Sequence, residues 1–315
     1  MSELKPHFLQ SEAWESFQNA AGFETFRKKG KNYEYMGILR PTSLGNYLFL
    51  PYGPTLANKK ALKSALQGAK TLAKSKKCLF IRIEPTIAFT RAEMRKFGAK
   101  KSTHIDPEHT WALDLTQTED EIAQSIGKNK MRAYKNRAQK GISSRKSKNP
   151  ADMEIFFKFY EDVAKKDNFQ TNERKYLEKQ LNFDFTSIYI AEFQPEKGKK
   201  IPIAATIMYT GDEACYYAYA GADYEFRKKE GGAILLTKMI FDAKAAGKKY
   251  FDFWGITTSN DPKDTWAGFT KFKKSFGGYQ IDYAGTYDIP INYPKYALYS
   301  LLRPINKLKR KIAKK

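Results

Sequence analysis

Apolar runs of strand length alternate with helical stretches along this chain, and the order occurs twice. The first half carries YEYMGILRP, NYLFLPYG, CLFIRIEP and HTWALDL, with helices predicted over 11–21 and 58–76. In the second half, helices predicted over 118–140, 150–165 and 230–246 accompany TSIYIAEF, IPIAATIMYT, EACYYAYAGA and KYFDFWGI. Such alternation predicts an α/β fold with mixed sheets flanked by helices. Because 315 residues can bury two cores, we predict two tandem domains of one kind.

The second half also contains a hairpin and a glycine-bearing loop. IAATIMYT-GDE-ACYYAYAG predicts a β-hairpin with a glycine turn. The polar segment 222–232 ends in Gly231-Gly232 and precedes a helix start, where backbone amides can receive an anion. Acyl-CoA N-acetyltransferases bind pyrophosphate at that position through a fuller basic, glycine-rich loop. An acetyl-CoA-dependent N-acyltransferase therefore remains an alternative function.

The formal net charge of +22 indicates a polyanionic partner, such as nucleic acid, an anionic lipid surface or a highly phosphorylated substrate. Two segments lack acidic residues altogether, 122–151 and 303–315. Lysine-rich surfaces that only face solvent would explain the high average charge. They explain less well why these two segments contain no acidic residue. The candidate nucleic-acid contacts in the first segment are Lys128, Lys130, Arg132, Lys135 and Arg137.

Several features predict a cytoplasmic protein. No run approaches the roughly 18 apolar residues of a membrane span, and the N-terminal MSELKPHFLQ lacks the apolar centre of a signal peptide. Cys78 and Cys215 lie far apart inside apolar runs and lack metal-ligand spacing. We expect both to be reduced core residues.

Conventional catalytic sets are missing from the sequence. The turn HIDPEH gathers His104, Asp106, Glu108 and His109, but the spacing fits no zinc pattern and favours a surface turn. There is no Walker loop and no Gly-x-Ser-x-Gly elbow. We predict no metal site and no cofactor. The sequence favours direct transfer between two bound substrates, which requires mainly positioning and stabilisation of an oxyanion.

The segment GFTKFKKSFGG combines apolar and basic residues at helical spacing. Its phenylalanines are Phe269, Phe272 and Phe276, and its central lysines are Lys271, Lys273 and Lys274. The spacing predicts a helix anchored by the phenylalanines and ended by glycine. Such a helix can carry a solvated basic face, or it can present one fixed ammonium to an oxyanion.

These segments occur in the same order in the Fem peptidoglycan bridge-forming aminoacyltransferases, and the chain resembles that family over nearly its whole length. The matching pieces are NYLFLPYGPTL, CLFIRIEP, HTWALDL, KNKMRAYKNRAQKGI, YYAYAGA, FDFWGI and GFTKFKKSFGG. The most specific are PYGP, the KNKMRAYKNRAQKGI helix and FKKSFGG. Because 176–188 leaves no room for a helical-hairpin insertion, the chain is similar to the compact, FemX-like form.

The resemblance implies two tandem domains of the GNAT type. It places the first, on the muropeptide acceptor side, at 1–108 plus 285–315, and the second, with the transfer site and the tRNA side, at 109–284. It also implies movement of an amino acid from aminoacyl-tRNA to an amine of the peptidoglycan stem peptide. The acceptor would be a UDP-linked or lipid-linked muropeptide, and aminoacyl-tRNA is the donor substrate in place of a cofactor.

The resemblance assigns roles to individual residues. Lys273, beside Phe272, would steady the transition-state oxyanion or the acceptor site. Glu84, from CLFIRIEP, would either accept the proton of the acceptor amine or only orient that amine. Tyr219 and Tyr176 would line the muropeptide site.

Two phosphate ligands of the family are replaced in this chain. A basic residue expected four positions after Trp14 is Gln18, and an arginine expected four before Tyr176 is Asn172, with Arg174 two residues on. These departures leave a UDP-linked and a lipid-linked acceptor as open alternatives.

The resemblance explains the net charge of +22, because it implies tRNA as the polyanionic partner. Residues 122–151 are then the first candidate for the surface that contacts tRNA. The C-terminal RPINKLKRKIAKK has three interpretations: a tRNA contact, a contact with the anionic inner membrane surface, or a disordered soluble tail. A non-catalytic RNA-binding protein on the same fold is a further alternative, although it leaves Lys273, Tyr219 and Glu84 without a role. We expect a monomer.

Overall fold

The computed structural model describes residues 4–167, 171–261 and 263–312. The chain divides into two compact units, Met1–Glu108 with Asp282–Lys315 and His109–Ile281. The second unit is thus inserted between two segments of the first unit. It ends at Ile281, three residues before the expected boundary at 284. No helix among the described residues combines the length and apolarity needed to span a bilayer.

Each apolar run predicted as a strand contains one. The strands are β1 (Thr25–Gly30), β2 (Tyr33–Thr42), β3 (Gly45–Leu50), β4 (Thr55–Leu56), β5 (Phe80–Ile83), β6 (Lys100–Lys101), β7 (His109–Asp114), β8 (Ile142–Ser147), β9 (Thr186–Phe193), β10 (Ile201–Thr210), β11 (Ala214–Ala222), β12 (Tyr250–Gly255), β13 (Tyr279–Asp282) and β14 (Tyr287–Pro290). The helices are α1 (Glu12–Ala20), α2 (Ala61–Ser75), α3 (Arg91–Arg95), α4 (Glu119–Ser125), α5 (Lys128–Lys135), α6 (Asp152–Asp167), α7 (Arg174–Leu181), α8 (Gly231–Ala245), α9 (Ala267–Lys274) and α10 (Tyr293–Ile312).

The first unit has a mixed sheet in the order β1–β2–β3–β5–β14–β6, with β4 paired to β2. Strands β3 and β5 run parallel, and β14 pairs antiparallel with both β5 and β6. Helix α2 buries Leu62, Leu66 and Ala69 in the core of this unit. The C-terminal segment therefore completes the sheet of the first unit.

The second unit has a mixed sheet in the order β13–β7–β12–β11–β10–β9–β8. Strands β10 and β11 form the predicted antiparallel hairpin, with the Gly211 N–H donating to the Ala214 carbonyl at 2.8 Å. Strands β11 and β12 pair in parallel. Helix α8 is central to the core and buries Ile234, Leu236 and Ile240 completely. As predicted, Cys78 and Cys215 are buried and unpaired in their respective units.

The single helix predicted over 118–140 is wrong. Thr118 and Glu121 form a capping box that starts α4, but the backbone becomes extended at Ile126 and α5 begins after Gly127. The Gly127 N–H donates to the Ser275 carbonyl at 3.1 Å, so the break holds the chain against the end of α9.

Polar strands at the sheet edges were not predicted. Strand β1 has the sequence TFRKKG and β8 has ISSRKS, and each lies at one end of its sheet. Edge strands tolerate charged residues because one side of the strand faces water rather than another strand. Their sequences therefore lack the alternation that marks a half-buried strand.

Two glycines fix the end of the GFTKFKKSFGG segment. Gly277 and Gly278 have φ values of 78° and 101°, which L side chains rarely adopt. A Cβ at Gly278 would lie 2.1 Å from the Ala112 carbonyl oxygen. The Trp111 indole N–H also donates to the Gly277 carbonyl at 2.6 Å. The predicted glycine ending is confirmed, and it packs the segment directly against β7.

Replacement of Gly278 by alanine should destabilise the protein. We expect Gly278→Ala to lower the free energy of unfolding by about 2 kcal/mol or more, because it combines backbone strain with a collision against Ala112. Urea denaturation measures the change. The matched control is Gly268→Ala in α9, where no described atom outside the helix lies within 4 Å of the new Cβ. The control should be neutral or stabilising, and equal stability of the two variants would contradict the close packing at Gly278.

Candidate active site

The second unit contains a sharp bend at the end of β12. Parallel pairing of β12 with β11 stops at Asp252, and the register against β7 shifts between Asp252 and Gly255. Trp254 has a φ of 64°, a left-handed conformation that is uncommon for a bulky residue. Its N–H donates to the Asp252 carboxylate at 2.6 Å. Asp252 therefore stabilises the strained backbone that turns the Gly255 carbonyl.

Lys273 reaches this bend from α9. Its Nζ donates to the Gly255 carbonyl at 2.6 Å, and only 9% of the residue is exposed. Burial lowers the pKa of Lys273 to about 8, while the negative charge of Asp252 opposes that shift. The side chain is therefore mainly an ammonium at neutral pH, held in one position.

Asp252 is itself almost completely buried. Burial raises its pKa to about 7, against the opposing effects of the Trp254 N–H, the Lys273 charge and the Thr110 hydroxyl. That hydroxyl donates to the carboxylate at 3.4 Å. Each buried charge thus favours the ionised form of the other.

The other residues of α9 separate into anchors and surface groups. Phe276 is fully buried, and it packs edge-on against the partly buried Phe272 with ring centres 5.2 Å apart. Phe269 is 40% exposed, so the prediction that it anchors the helix is wrong. Lys271 and Lys274 are exposed. Lys273 is the one of the three central lysines that is buried.

A polar cleft lies on the exposed side of α9. Its volume is about 510 Å³. Hydroxyl, amide and ammonium groups line it, including Thr257, Ser259, Asn260, Lys271 and Lys274. Such groups suit the phosphates and ribose hydroxyls of a nucleotide.

A group of aromatic residues joins Tyr219 to the bend. The Asn172 amide donates to the Tyr219 hydroxyl at 2.9 Å. The Tyr219 ring packs against Tyr209 at 6.1 Å, and Tyr209 packs against the Trp254 indole at 6.3 Å. Through Trp254, the structure brings Tyr219 and Asn172 into the same region of the unit as Lys273.

Tyr176 also belongs to this aromatic group. Tyr209 donates to the Gln180 amide oxygen at 2.7 Å. Burial raises the pKa of Tyr209 well above its usual value, and the neighbouring Tyr219 and Tyr176 raise it further. Tyr219 and Tyr176, the two tyrosines that the resemblance assigned to the muropeptide site, therefore both lie near Tyr209.

Arg174 lies close by but is engaged within the protein. Its guanidinium pairs with Glu161 at 2.7 Å and with Glu154 at 3.2 Å, and it stacks over Phe157 at 4.6 Å. Two carboxylates already neutralise its charge. In this arrangement Arg174 does not replace the missing phosphate ligand at Asn172.

The predicted tRNA-binding residues differ in exposure. Lys130 lies over the rings of Phe272 and Phe276, at 6.0 and 5.3 Å, and burial lowers its pKa. Arg137 folds back over Tyr134 and donates to that residue's carbonyl at 2.6 Å. The fully exposed members are Lys128, Arg132 and Lys135. Lys130 thus joins the basic segment to α9.

The loop at 222–232 is poorly suited to pyrophosphate. Glu230 precedes α8 in a left-handed conformation, and with Asp223 and Glu225 it offsets the three cations of the loop, which are Arg227, Lys228 and Lys229. A carboxylate at a helix N-terminus repels the phosphate that this position would otherwise attract. The loop therefore argues against an acetyl-CoA site.

In the first unit, Glu84 follows β5 and is 3% exposed. Its Oε1 accepts hydrogen bonds from the Thr286 hydroxyl at 2.6 Å and from the backbone N–H groups of Ile105 and Asp106 at 3.2 and 3.4 Å. The Tyr52 hydroxyl of PYGP donates to the Pro107 carbonyl at 2.9 Å. PYGP, Glu84 and the HIDPEH turn therefore form one local structure.

The carboxyl groups of Asp106 and Glu84 share a desolvated environment. Burial and the adjacent Glu84 charge raise the pKa of Asp106 well above its usual value, and burial also raises the pKa of Glu84. The two effects on Asp106, burial and the adjacent Glu84 charge, both favour its protonated form. HIDPEH is a surface turn, as predicted, with His104 and Ile105 exposed, and the backbone N–H groups of Ile105 and Asp106 also bind Glu84. Among the described residues, no group of three metal-ligating side chains lies close enough to hold a metal ion.

Gln18 is fully buried, so it is not positioned to touch a ligand directly. Its side-chain oxygen accepts from the Arg40 guanidinium at 3.1 Å, and Arg40 stacks over Phe23 at 3.9 Å. The positive charge of Arg40 also acts on Asp106. Arg40 is the cation that this part of the first unit provides near the carboxyl pair.

Sequence reasoning missed three charged residues of these sites. Asp252 is the lone acid in the apolar run KYFDFWGI, and its position inside a buried strand was the available signal. Asp106 was noticed only as a poor metal ligand. Arg40 ends an apolar run and gave no signal that distinguished it from other surface cations.

Comparisons with known proteins agree with the fold. A crystal structure of FemX superposes with a TM-score of 0.81 and 17% identity, covering 94% of this chain and 95% of that one. A tandem GNAT protein from the clavulanic acid biosynthesis pathway superposes with a TM-score of 0.56 and 10% identity, covering 91% and 90%. The predicted fold of two tandem GNAT-like domains is confirmed.

Sequence comparison identifies the family. The aminoacyltransferase FemA of Staphylococcus epidermidis is 34% identical over 140 residues, 43% of this chain and 33% of the relative, so the match spans about a third of the relative's length. The model of the FemAB family matches residues 2–106 and 186–304. It leaves out the KNKMRAYKNRAQKGI segment. With most of its residues matched by that model, the chain belongs to the FemAB family.

Proposed function

We propose that this protein transfers an amino acid from aminoacyl-tRNA to an amine of the peptidoglycan stem peptide. The observation that carries the proposal is the buried Lys273 ammonium, fixed by the carbonyl of Gly255. Gly255 follows Trp254, whose indole packs on Tyr209, and Tyr209 in turn packs on Tyr219. A relative of this chain is an aminoacyltransferase, which agrees with this chemistry.

The proposed reaction requires no covalent enzyme intermediate. The acceptor amine attacks the ester carbonyl of the aminoacyl-tRNA, a C–N bond forms, and a tetrahedral oxyanion develops. Collapse of that intermediate breaks the ester C–O bond, the amine loses a proton, and the ribose oxygen of the tRNA leaves as a hydroxyl. The protein must position the two substrates and stabilise the oxyanion.

Lys273 is suited to the second task. An ammonium held away from water interacts strongly with a developing negative charge, and it needs no reorganisation when that charge appears. Its lowered pKa, about 8, also makes it a better proton donor than an exposed lysine. Phe272 contributes by packing α9 against the core, and Asp252 contributes by keeping Lys273 protonated.

On the acceptor side, Glu84 orients the acceptor amine in this proposal and does not accept its proton. Its Oε1 is already occupied by three protein donors, and the residue is almost fully buried. The carboxyl pair it forms with Asp106 fixes the HIDPEH turn. Arg40, held by Gln18, supplies the positive charge for a phosphorylated acceptor, whether UDP-linked or lipid-linked.

On the donor side, tRNA binds the exposed cations of α5. Lys130 links that surface to Phe272, and the polar cleft on α9 accommodates the end of the donor. An RNA-binding protein without activity would need the α5 surface but would have no use for a buried lysine whose protonation is maintained by Asp252.

Mass analysis of a muropeptide tests the proposed function. The protein is incubated with a charged tRNA pool and with UDP-linked and lipid-linked acceptors in separate reactions. We expect one acceptor to gain the mass of an aminoacyl residue, and only when the tRNA is charged. If neither acceptor gains mass and acetyl-CoA stabilises the protein against heat while tRNA does not, the acetyltransferase alternative replaces the proposal.

Removal of the Lys273 ammonium should affect turnover more than binding. We expect Lys273→Ala to lower kcat by about 100-fold or more with little change in muropeptide affinity, because the interaction strengthens in the transition state. Steady-state kinetics measure both quantities. The control Lys199→Ala removes an exposed lysine of the same unit that does not line the cleft, and it should retain turnover. Wild-type kcat in Lys273→Ala would exclude Lys273 from the reaction.

The pH dependence of turnover should reveal the coupling of Lys273 to Asp252. The ammonium is lost as pH rises through about 8, so its contribution to the rate declines above that value. Asp252→Asn removes the charge that raises the Lys273 pKa, and it keeps an acceptor for the Trp254 N–H. We expect the alkaline limb of the kcat profile to move to lower pH in the variant. The acceptor amine titrates equally in both proteins, and superimposable profiles would contradict the coupling.

Charge reversal on α5 should weaken tRNA binding. We expect Arg132→Glu with Lys135→Glu to lower the affinity and to reduce the slope of log affinity against log salt by about 1 for each phosphate that the variant no longer neutralises. Filter binding at several salt concentrations measures both. The matched control reverses two exposed lysines elsewhere in the same unit, Lys197→Glu with Lys199→Glu. An equal fall in affinity for both variants would place the tRNA surface elsewhere.

A further inference from the structure

Helix α10 of the first unit has one face packed on the body of that unit. Tyr296 is buried, with its ring 5.3 Å from Phe80, and its hydroxyl donates to Asp288 at 3.3 Å. One turn on, Tyr299 packs on Phe80 at 4.9 Å. The Arg303 guanidinium then donates to the Ser102 hydroxyl at 2.9 Å. The helix is therefore fixed to the first unit as far as Arg303, the first residue of the RPINKLKRKIAKK segment.

The opposite face of α10 exposes large apolar side chains. Leu298 is 45% exposed and Leu301 is 68% exposed. With about 100° of rotation per residue, both lie roughly opposite Tyr296 on the helix. The sequence continues the same spacing of three and four with Ile305, Leu308 and Ile312. We call the exposed pair Leu298 and Leu301 the apolar stripe.

The helix that carries the apolar stripe is strongly basic. No acidic residue follows Asp288 in the chain. The cations between Tyr293 and Ile312 are Lys295, Arg303, Lys307, Lys309, Arg310 and Lys311. A helix with an apolar row and only positive charges is typical of segments that lie in the interface of an anionic bilayer.

A basic pocket borders the same helix. It has a volume of about 440 Å³ and is lined by Arg91, Arg95, Lys100, Lys101 and Tyr287. The Lys100 ammonium lies over the Tyr296 ring of α10 at 5.5 Å, and Lys101 pairs with Glu108 at 2.8 Å. Four cations with one carboxylate partner leave the pocket positive, and its size suits a phosphate group.

We propose that the first unit binds the surface of an anionic membrane through the apolar stripe of α10, with the basic pocket receiving a lipid phosphate. Nucleic acid would satisfy the positive charges but leave Leu298 and Leu301 in water. A second copy of the chain would cover the leucines but bring two acid-free basic helices together. An anionic bilayer satisfies both the apolar row and the charge. The binding is independent of aminoacyl transfer, since it requires neither donor nor acceptor.

Vesicle co-sedimentation of the full chain tests the apolar stripe. The vesicles contain phosphatidylcholine alone or phosphatidylcholine with phosphatidylglycerol. We expect binding to the phosphatidylglycerol vesicles, and a loss of at least about tenfold in partitioning for Leu298→Gln with Leu301→Gln, because two exposed leucines no longer enter the interface. The matched control, Ile201→Gln with Tyr224→Gln, replaces two exposed apolar residues of the second unit and should bind as wild type.

The basic pocket is tested in the same assay. Arg95→Gln with Lys100→Gln should weaken binding to phosphatidylglycerol vesicles several-fold and reduce its salt dependence. Inorganic phosphate distinguishes the source of the ligand. We expect it to compete only weakly with vesicles, whereas vesicle binding that phosphate abolishes would show a site for free phosphate and overturn the lipid assignment.

Other outcomes would also overturn the proposal. Vesicle binding that survives Leu298→Gln with Leu301→Gln would exclude the stripe as the membrane contact. If that variant instead converts a dimer to a monomer by light scattering, with vesicle binding unchanged, the stripe joins two copies of the chain. If it loses tRNA affinity while vesicle binding persists, the helix is a tRNA contact.

Discussion

The hydrogen bond from the Lys273 ammonium to the Gly255 carbonyl fixes where the candidate active site of the second unit can lie. The carbonyl is in place because Asp252 holds Trp254 in a left-handed conformation. The ammonium is in place because α9 is anchored by Phe276 and ended by two glycines that pack against neighbouring backbone. Desolvation would favour a neutral lysine, and the nearby carboxylate restores the charge. A strained strand end and a short helix thus produce one fixed positive charge.

The first unit also buries charged groups, and hydrogen bonds compensate for part of the loss of water. Arg82 and Asp288 form a two-point ion pair, with both distances at 2.7 Å, which joins β5 to the C-terminal strand β14. Glu84, one residue beyond β5, accepts from three donors at Oε1, and its charge raises the pKa of the adjacent Asp106. Burial of such groups is costly unless their hydrogen bonds are satisfied. The returning C-terminal segment supplies Thr286 and Asp288, so it completes the sheet of the first unit around Glu84 and carries α10.

The sequence predicted the parts of the molecule that follow from apolar periodicity. The central strands, the β10–β11 hairpin and α8 were all predicted because their burial imposes a pattern on the chain. The edge strands β1 and β8 were not predicted. Each lies at the end of its sheet and consists largely of polar residues, so its sequence lacks the apolar periodicity of a central strand. Lys273, Tyr219 and Tyr176 entered the candidate site through the family resemblance, and their roles stay predictions. Asp252, Asp106 and Arg40 were missed because their roles arise from contacts between residues far apart in sequence, and the pairing of Arg174 with α6 was missed for the same reason.

The protonation of Lys273 tests this account most directly. Titration of isotopically labelled lysine side chains by NMR, with the Lys273 signal assigned from its absence in Lys273→Arg, measures the pKa of this one ammonium. The account predicts a value near 8, well below the usual 10.5 for lysine. A Lys273 that titrates with the exposed lysines near 10.5 would show that the ammonium is not buried against Gly255, and would contradict its place at the centre of the reaction.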